Sequence, residues 1–372
     1  MKIETIAVHA GNTADEHHKA VIQPISLSTT FERAEDGSYP GGFIYARASN
    51  PNRLSLENVL AKLEGGVGAC AFSSGNAAGG AVFQALEPGS HIIAPSDMYH
   101  GLRNLIKQVF AGILEADFID LSNLELVKAS IRPDTRLIWI ETPSNPLLKI
   151  TDIAAIANIA KTANITVCVD NTFATPILQN PLALGADIVM HSSTKYLGGH
   201  SDVSGGALIT KEDTLLWKKI RSIQELSGAV PSPFDCYLTV RGIKTLPYRM
   251  KGHVSNAKQL VEFLSHHSKI EAIFYPGLKT HPLHDVAGKQ MSDFGGMLSF
   301  LVKGGAEEAR KVANLTKIFT QATSLGGVES LIEHRASIEG PDTKTPQNLL
   351  RASVGLENIE DLIEDLRSAL EA

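Results

Sequence analysis

Short apolar segments that alternate with helical patterns constrain the fold of this chain most. VGACAF, HIIAP, RLIWIE and ITVCVD are apolar at successive positions, and a stretch with helical periodicity follows each of the first three. Strands that are apolar on both faces are typical of a parallel sheet with helices packed on both sides. The pattern therefore predicts an α/β fold with a parallel sheet. In such a sheet, ligands bind beyond the carboxyl ends of the strands.

The pattern changes near residue 235, which indicates a division of the chain. Residues 1–50 contain prolines and glycines and few periodic apolar residues, so we expect an irregular arm that lies on a neighbouring subunit. Residues 51–235 carry the alternating strands and helices and are predicted to form the main α/β domain. Residues 236–372, with the strand candidates MLSFLV and LLRASVG, are predicted to form a smaller C-terminal α/β domain.

The composition argues against several classes of partner. The net charge is −6 and the lysines and arginines form no dense run, so we expect neither nucleic acid nor a membrane surface as a partner. The sequence has no signal-peptide pattern and no window near the roughly 20 apolar residues of a membrane span, so we expect a soluble, cytoplasmic protein. Cys70 and Cys168 lie in apolar runs, far from Cys236, and are expected to be core thiols.

Polar residues follow several predicted strands. SSGNAAGG opens a helix with small residues, whose free N–H groups suit a phosphate, although tight packing would also explain them. Asn145, in ETPSNP, is either a ligand-binding amide or a turn residue. Asp170 ends the strand ITVCVD, where a carboxylate is either a helix cap or the partner of a protonated ring nitrogen.

Lys195 follows the apolar segment ADIVM in the stretch HSSTKYLGGHSD. An ammonium group beside a buried strand either points to solvent or is kept there for chemistry, with a lowered pKa. A neutral amine of this kind forms a Schiff base with an aldehyde. A phosphate site, a carboxylate for a ring nitrogen and a lysine for an aldehyde are what pyridoxal 5′-phosphate (PLP) requires.

Motifs in a defined order along the chain resemble a known family. They are YARASNP, SSGNAA, ETPSNPLLKI, VDNTFATP, HSSTKYLGGHSD, RGIKTLPYRM, YPGL, SLGGVES and LLRASVGLE. The chain resembles the PLP-dependent enzymes of cysteine and methionine metabolism, which include cystathionine γ-synthase, cystathionine γ- and β-lyases and methionine γ-lyase. The resemblance implies a fold-type-I structure, with a large, mostly parallel sheet domain and a smaller C-terminal α/β domain. It also implies a homotetramer, a dimer of dimers with active sites shared across the dimer interface.

The resemblance implies roles around the cofactor. Lys195 would hold PLP as a Schiff base and act as the general base, and Asp170 would pair with the pyridine nitrogen. Tyr99 would stack on the ring and activate the substrate amine; the alternative is a core aromatic. The phosphate would be bound by Gly75, Asn76, Ser192 and Thr194, and by Tyr45 and Arg47 of the neighbouring subunit.

The resemblance also implies that Arg351, Asn145 and Ser324 face the substrate, together with Tyr45. Arg351 would bind the substrate α-carboxylate; the alternative is a solvated charge at a strand end. Asn145 would approach the ring oxygen and the substrate carboxylate, and Ser324 would orient Lys195 or the substrate. We expect no metal site, since His191 and His200 lack clustered ligands.

The implied function is PLP-dependent trans-sulfuration. The substrate would be cystathionine, or an O-acyl-homoserine with cysteine, in γ-elimination or γ-replacement. Cystathionine β-lyase and methionine γ-lyase activities are alternatives, as is an aminotransferase of the same fold type. A catalytically inactive scaffold that binds PLP or phosphate is the alternative from another class.

The chain departs from the family pattern at several places. Thr323 precedes SLGG where γ-acting relatives usually have an acid, and Ile44 precedes the YxR tyrosine, where an acidic or aromatic residue is common. YHGL replaces YGGT, and the segment IEHRASIEGPDTKTPQNLL lacks a common threonine-histidine pair. Without these acids, selectivity for the distal ammonium of cystathionine is less expected. An activated homoserine ester, methionine and cystine are candidate substrates.

Overall fold

The computed structural model describes residues 1–11, 18–339, 343 and 345–372. Two sheets organise the described chain, one of seven strands and one of five. The strands of the larger sheet are β1 (Gly68–Phe72), β2 (His91–Pro95), β3 (Glu115–Ile119), β4 (Thr135–Glu141), β5 (Thr166–Asp170), β6 (Ile188–His191) and β7 (Gly206–Thr210).

The larger sheet has the strand order β1-β7-β6-β5-β4-β2-β3. All its strands run in the same direction except β7, which is antiparallel to both β1 and β6. The predicted mostly parallel sheet is confirmed, and β7 is its antiparallel exception. Two neighbouring parallel strands that follow each other in the chain need a crossover connection, which is usually a helix. The loop between β6 and β7 contains no helix. The carboxyl ends of the six parallel strands meet at one edge.

Helices cover both faces of this sheet. They are α1 (Ile3–His9), α2 (Pro51–Glu64), α3 (Gly75–Ala85), α4 (His100–Asn104), α5 (Leu124–Ala129), α6 (Ile153–Thr162), α7 (Thr175–Leu178), α8 (Leu215–Ser227) and α9 (Pro233–Ile243), and a π-helical turn, Leu105–Val109, extends α4. Successive residues of β1 enter different cores: Ala69 and Ala71 pack with α2, and Cys70 and Phe72 pack with α3 and α8. This burial explains the apolar strands, and it confirms Cys70 as a core thiol.

Helix α2 shows how local sequence sets an element. Asn50 caps it by accepting hydrogen bonds from the backbone N–H groups of Asn52 and Arg53, and Gly65 ends it at a φ of 72°. Four apolar residues at the spacing of one helix face are buried: Leu56, Val59, Leu60 and Leu63.

The smaller sheet lies in the C-terminal part of the chain. Its elements are α10 (Leu246–Ser265), β8 (Ile270–Phe274), α11 (His284–Gln290), β9 (Met297–Val302), α12 (Gly305–Leu315), β10 (Thr320–Gln321), β11 (Leu331–His334), a 3₁₀ turn (Arg335–Ser337), β12 (Leu349–Ser353) and α13 (Ile359–Glu371). The strand order is β10-β11-β12-β9-β8, and only β10 and β11 pair in parallel. A buried cluster joins this sheet to α10, α12 and α13. The Ser299 hydroxyl of β9 donates a 2.7 Å hydrogen bond to the carbonyl of Pro146, which connects the two parts.

The N-terminal region is only partly irregular. Helix α1 was not predicted. Its Ala7, and Ala10 directly after it, are buried in the core that includes residues of α2. Residues 18–50 contain an isolated bridge, Thr30 to Tyr45, and otherwise no helix or strand. Several large apolar residues there are exposed, including Leu27 and Ile44.

The proposed division at residues 50 and 235 stays a prediction. Its second boundary falls inside the continuous helix α9. Among the helices of the described residues, none is both long enough and apolar enough to span a membrane.

Candidate active site

A cavity of about 510 Å³ opens at the carboxyl edge of the larger sheet. The loops after β1, β2, β4, β5 and β6 supply one wall, and β12 with the segments after β10 and β11 supplies the other. The predicted site residues that line the cavity are Gly75, Asn76, Tyr99, Asn145, Asp170, Ser192, Thr194, Lys195, Ser324 and Arg351. Residues from distant parts of the sequence therefore meet in one place, as ligand binding at strand ends requires.

The Lys195 amine lies in the cavity and is partly buried. Its Nζ donates a 2.7 Å hydrogen bond to the Ser324 hydroxyl. Burial, and then the nearby positive charge of Arg351, lower the pKa of Lys195 to about 8. A substantial fraction of the amine is therefore neutral near neutral pH. The neutral amine is the form that attacks an aldehyde.

Ser324 holds a strained position between two site residues. Its φ is 85°, in the left-handed region that costs energy for a residue with a side chain. Its hydroxyl accepts from Lys195, while its carbonyl accepts a 2.8 Å hydrogen bond from Nη2 of Arg351. The strained serine thus sets the distance between the amine and the guanidinium.

Asp170 is a buried carboxylate at the end of β5 with one oxygen left for a ligand. Its Oδ1 accepts hydrogen bonds from the backbone N–H of Thr172, at 3.0 Å, and from the Thr172 hydroxyl. Within the described residues, Oδ2 has no hydrogen-bond partner. The helix-cap alternative is wrong, because Ala174 is the cap of α7. Burial raises the pKa of Asp170, against the hydrogen bonds from Thr172, and a protonated ring nitrogen would supply the missing positive partner.

The start of α3 forms the predicted phosphate cradle. Ser74 caps the helix, and Gly75 and Asn76 occupy its first turn, where N–H groups have no intrahelical acceptor. A Cβ at Gly75 would lie 3.0 Å from Cβ of Ser192, so a side chain there would require the two loops to move apart by a few tenths of an ångström. The hydroxyl of Ser192 has no partner in the described part of the chain, and Thr194 lines the same wall. These groups fit a phosphate.

Arg351 enters the cavity from β12. Nη1 donates a 2.9 Å hydrogen bond to Asn145 Oδ1, and Nη2 lies 2.7 Å from Oε2 of Glu333. Burial lowers the pKa of Arg351 to about 10, so the side chain is charged at neutral pH. The alternative of a solvated strand-end charge is wrong, because the side chain is only 3% exposed.

Tyr99 lies at the open side of the cavity. It is 38% exposed, so the alternative of a core aromatic is wrong. Tyr45 and Arg47 do not line the cavity of their own chain. Tyr45 is half exposed, and Arg47 donates a 2.7 Å hydrogen bond to the carbonyl of Glu225. Their action on a neighbouring subunit stays a prediction.

Two charged residues of the cavity wall were not predicted. Glu141 ends β4 directly opposite Asp170 and accepts hydrogen bonds from the backbone N–H groups of Tyr99, at 2.8 Å, and Asn145, at 3.1 Å. Burial, followed by the charge of Asp170, raises the pKa of Glu141 well above its usual range. The sequence did contain a signal for Glu141, because this residue is a carboxylate at the end of an apolar strand. Arg335, in the 3₁₀ turn after β11, had no comparable signal.

The described residues contain no group of histidine, cysteine and carboxylate side chains that could hold a metal. His191 instead forms a buried 2.6 Å contact with Glu64. Lys195, Asp170 and the start of α3 match the three chemical parts of PLP: an aldehyde, a ring nitrogen and a phosphate.

Comparisons with known proteins agree with this arrangement. The sequence model described as "Cys/Met metabolism PLP-dependent enzyme" matches residues 4–371. Cystathionine γ-synthase of Mycobacterium leprae is 49% identical over 99% of this chain and 96% of that protein. Cystathionine γ-lyase of Bacillus subtilis is 43% identical, with both chains covered completely. The crystal structure of metB from Corynebacterium glutamicum is similar with a TM-score of 0.97 and 45% identity, covering 100% of this chain and 98% of that one. The chain belongs to the family of PLP-dependent enzymes of cysteine and methionine metabolism.

Proposed function

We propose that this enzyme catalyses γ-replacement, in which the sulfur of cysteine displaces the acyl group of an O-acyl-homoserine to give cystathionine. One observation carries the proposal: the lysine amine lies one serine away from a buried arginine. This arrangement suits an α-amino acid, whose carboxylate would bind Arg351 while its Cα faces Lys195. Relatives named cystathionine γ-synthase, 48–49% identical, support the same activity.

The proposed reaction needs a base that works at two adjacent carbons. Bound PLP supplies an electron sink for the charge that develops on the substrate. Lys195, with its lowered pKa, removes the proton from Cα, and a second proton then leaves Cβ. The acyl group leaves Cγ as a carboxylate, the cysteine sulfur bonds to Cγ and gives up its thiol proton to that carboxylate, and the two protons return to Cβ and Cα. The products are cystathionine and the carboxylic acid.

Thr323 supports an ester substrate over cystathionine. It lines the cavity next to Ser324 and presents a neutral hydroxyl where an acid would meet a distal ammonium group. A neutral hydroxyl gives cystathionine no ion pair at its far end, whereas the acyl end of an ester needs none.

γ-Elimination of cystathionine is the second candidate. The observation that favours it is the similarity, at 43–44% identity, to proteins named cystathionine γ-lyase. The same base and the same arginine serve both reactions, which differ in whether a thiol enters. The similarity also extends to proteins named cystathionine β-lyase and L-methionine γ-lyase.

We also propose a homotetramer, built as a dimer of dimers, in the cytoplasm. Apolar side chains of the arm are exposed in the single chain, with Leu27 at 71% and Ile44 at 55%. Contact with a second copy would remove them from water. Tyr45 and Arg47 lie next to these residues and would thereby reach the cavity of the partner subunit.

Product analysis of the purified protein tests the reaction. With an O-acyl-homoserine and cysteine, we expect cystathionine and an equal amount of free carboxylic acid, and no product from Lys195→Ala. If that mixture gives no cystathionine while cystathionine alone gives 2-oxobutyrate and cysteine, the second candidate replaces the first. Pyruvate and homocysteine from cystathionine would indicate β-elimination. A protein that binds PLP and turns over none of these substrates would contradict both candidates.

A further inference from the structure

One carboxylate joins two arginines in the wall of the cavity. Glu333, on β11, is 3% exposed, and its Oε2 lies 2.7 Å from Nη2 of Arg351 and 3.0 Å from Nη1 of Arg335. Its other oxygen, Oε1, is buried without a hydrogen-bond partner among the described residues. The negative charge of Glu333 is therefore shared between two guanidinium groups that both border the cavity.

Arg335 is held on its other side by a second carboxylate. Its Nε and Nη2 donate to Oε1 of Glu339, at 3.1 and 2.9 Å. The other oxygen of Glu339 accepts from the hydroxyls of Thr343 and Thr345, both at 2.6 Å. Although burial opposes it, these hydrogen bonds and Arg335 keep the pKa of Glu339 below its usual value. Arg335 is thus fixed with one nitrogen on Glu333.

The shared carboxylate matters because Arg351 must accept a second anion when a substrate binds. If Glu333 were paired with Arg351 alone, the two buried charges would already balance, and the carboxylate of a bound substrate would be a negative charge without a compensating partner. Arg335 draws part of the Glu333 charge away from Arg351, while Glu339 balances Arg335 from its other side. Arg351 also retains a buried Nε–H that has no partner among the described residues.

We propose that Arg335 is a positioning residue that competes with Arg351 for Glu333 and so leaves Arg351 able to bind the substrate carboxylate. The inference rests on the proposed function only in requiring an α-amino acid as the substrate. It assigns no contact between Arg335 and the substrate. It does give a role to Glu333 and Arg335, which lie in the segment after SLGGVES, where this chain differs from the usual family pattern.

Ligand titration of the PLP-loaded enzyme tests the proposal directly. Glycine has the amine and the carboxylate, glycinamide lacks the carboxylate charge, and both are followed by the change in cofactor absorbance. For Arg335→Met we expect binding of glycine about tenfold weaker, the scale of one charged hydrogen bond, and binding of glycinamide within about twofold of wild type. Arg335→Lys, which keeps the charge, should fall between the two. Arg367→Met, on the exposed face of α13, is the matched control and should bind both as wild type.

A double variant separates positioning from a merely structural role. In Glu333→Gln/Arg335→Met the competing charge is gone, so glycine affinity should recover to within about threefold of wild type. A double variant as weak as Arg335→Met, or equal losses for glycine and glycinamide, would overturn the proposal. If Arg335→Met does not fold, Glu333→Gln alone decides: it should bind glycine at least as tightly as wild type, and weaker binding refutes the inference. A wild-type enzyme that holds PLP but responds to neither compound would contradict the proposed function itself.

Discussion

Burial and a neighbouring positive charge act together at Lys195. The amine loses hydration and lies near Arg351, and both effects disfavour its proton. The hydroxyl of Ser324 still accepts a hydrogen bond from it, so the nitrogen keeps a fixed direction. A single lysine thereby becomes reactive near neutral pH through its surroundings, without any change in its own chemistry.

The pH dependence of cofactor uptake should report the lowered pKa of Lys195. Because its pKa is about 8, the neutral fraction of the amine increases as the pH rises, reaches half at about pH 8 and is nearly complete about one pH unit higher. We expect the rate at which the cofactor-free protein takes up PLP to rise with pH and to level off above pH 8. Stopped-flow absorbance measures this rate. A rate that keeps rising towards pH 10.4, the ordinary value for lysine, would contradict the lowered pKa.

Glu141 is a second residue with a defined expectation. Each of its carboxylate oxygens accepts a hydrogen bond from a backbone N–H group. A glutamine side chain at this position could accept only one of the two hydrogen bonds, because its NH₂ group would face the other N–H donor. Glu141→Gln should therefore lower the free energy of unfolding by about 1–3 kcal/mol, measured by urea denaturation. Glu125→Gln, at an exposed position of α5, is the control and should change it little. Equal stability of Glu141→Gln and wild type would mean that these hydrogen bonds are not needed.

The sequence allowed the prediction of some site residues and not others for a physical reason. Asp170 and Lys195 follow apolar strands, and strand direction alone places both at one edge of a parallel sheet. Arg335 acts through Glu333, a contact between side chains that no periodicity encodes. Glu141 could have been predicted by the same argument, since it ends β4 as Asp170 ends β5.

At the scale of elements, the N-terminus of α3 joins sequence to function. Its glycine permits the close approach of the loop after β6, and its cap orients the free N–H groups of the first turn. Elements with weak apolar signals were missed. Strand β3 lies at the sheet edge with no buried residue, and α1 is only seven residues long. The direction of β7 depends on the loop that carries Lys195, which local patterns do not reveal.

Gly75→Ala tests the cradle at the start of α3. The new Cβ would lie 3.0 Å from Cβ and 3.1 Å from Oγ of Ser192 and would push this predicted phosphate ligand away. We expect PLP to bind about tenfold more weakly, corresponding to roughly one charged hydrogen bond, with secondary structure unchanged. Equilibrium dialysis of the cofactor measures the effect. Gly288→Ala in α11, where a Cβ meets nothing within 4 Å, is the control, and an equal loss there would contradict the specific role of Gly75.

At the scale of the whole molecule, the cavity draws on both sheets but not on the arm of its own chain. The loops of the larger sheet supply the residues for the cofactor, and the smaller sheet supplies Arg351 from β12 and Ser324 from the loop after β10. Tyr45 and Arg47 are left outside, next to exposed apolar side chains. If the arm completes the site of a second copy, each active site needs residues from two chains, and activity becomes a property of the pair.

Mixing two inactive variants tests this sharing. Lys195→Ala has no amine and Arg47→Ala would have no phosphate contact from the arm, so each alone should be nearly inactive. After unfolding and refolding together in equal amounts, half of the dimers contain one chain of each kind, and one of their two sites is intact. We therefore expect about a quarter of wild-type activity by the symmetry of a two-fold dimer. Refolding each variant by itself is the control. If the mixture is no more active than its separate components, Arg47 acts within its own chain or not at all.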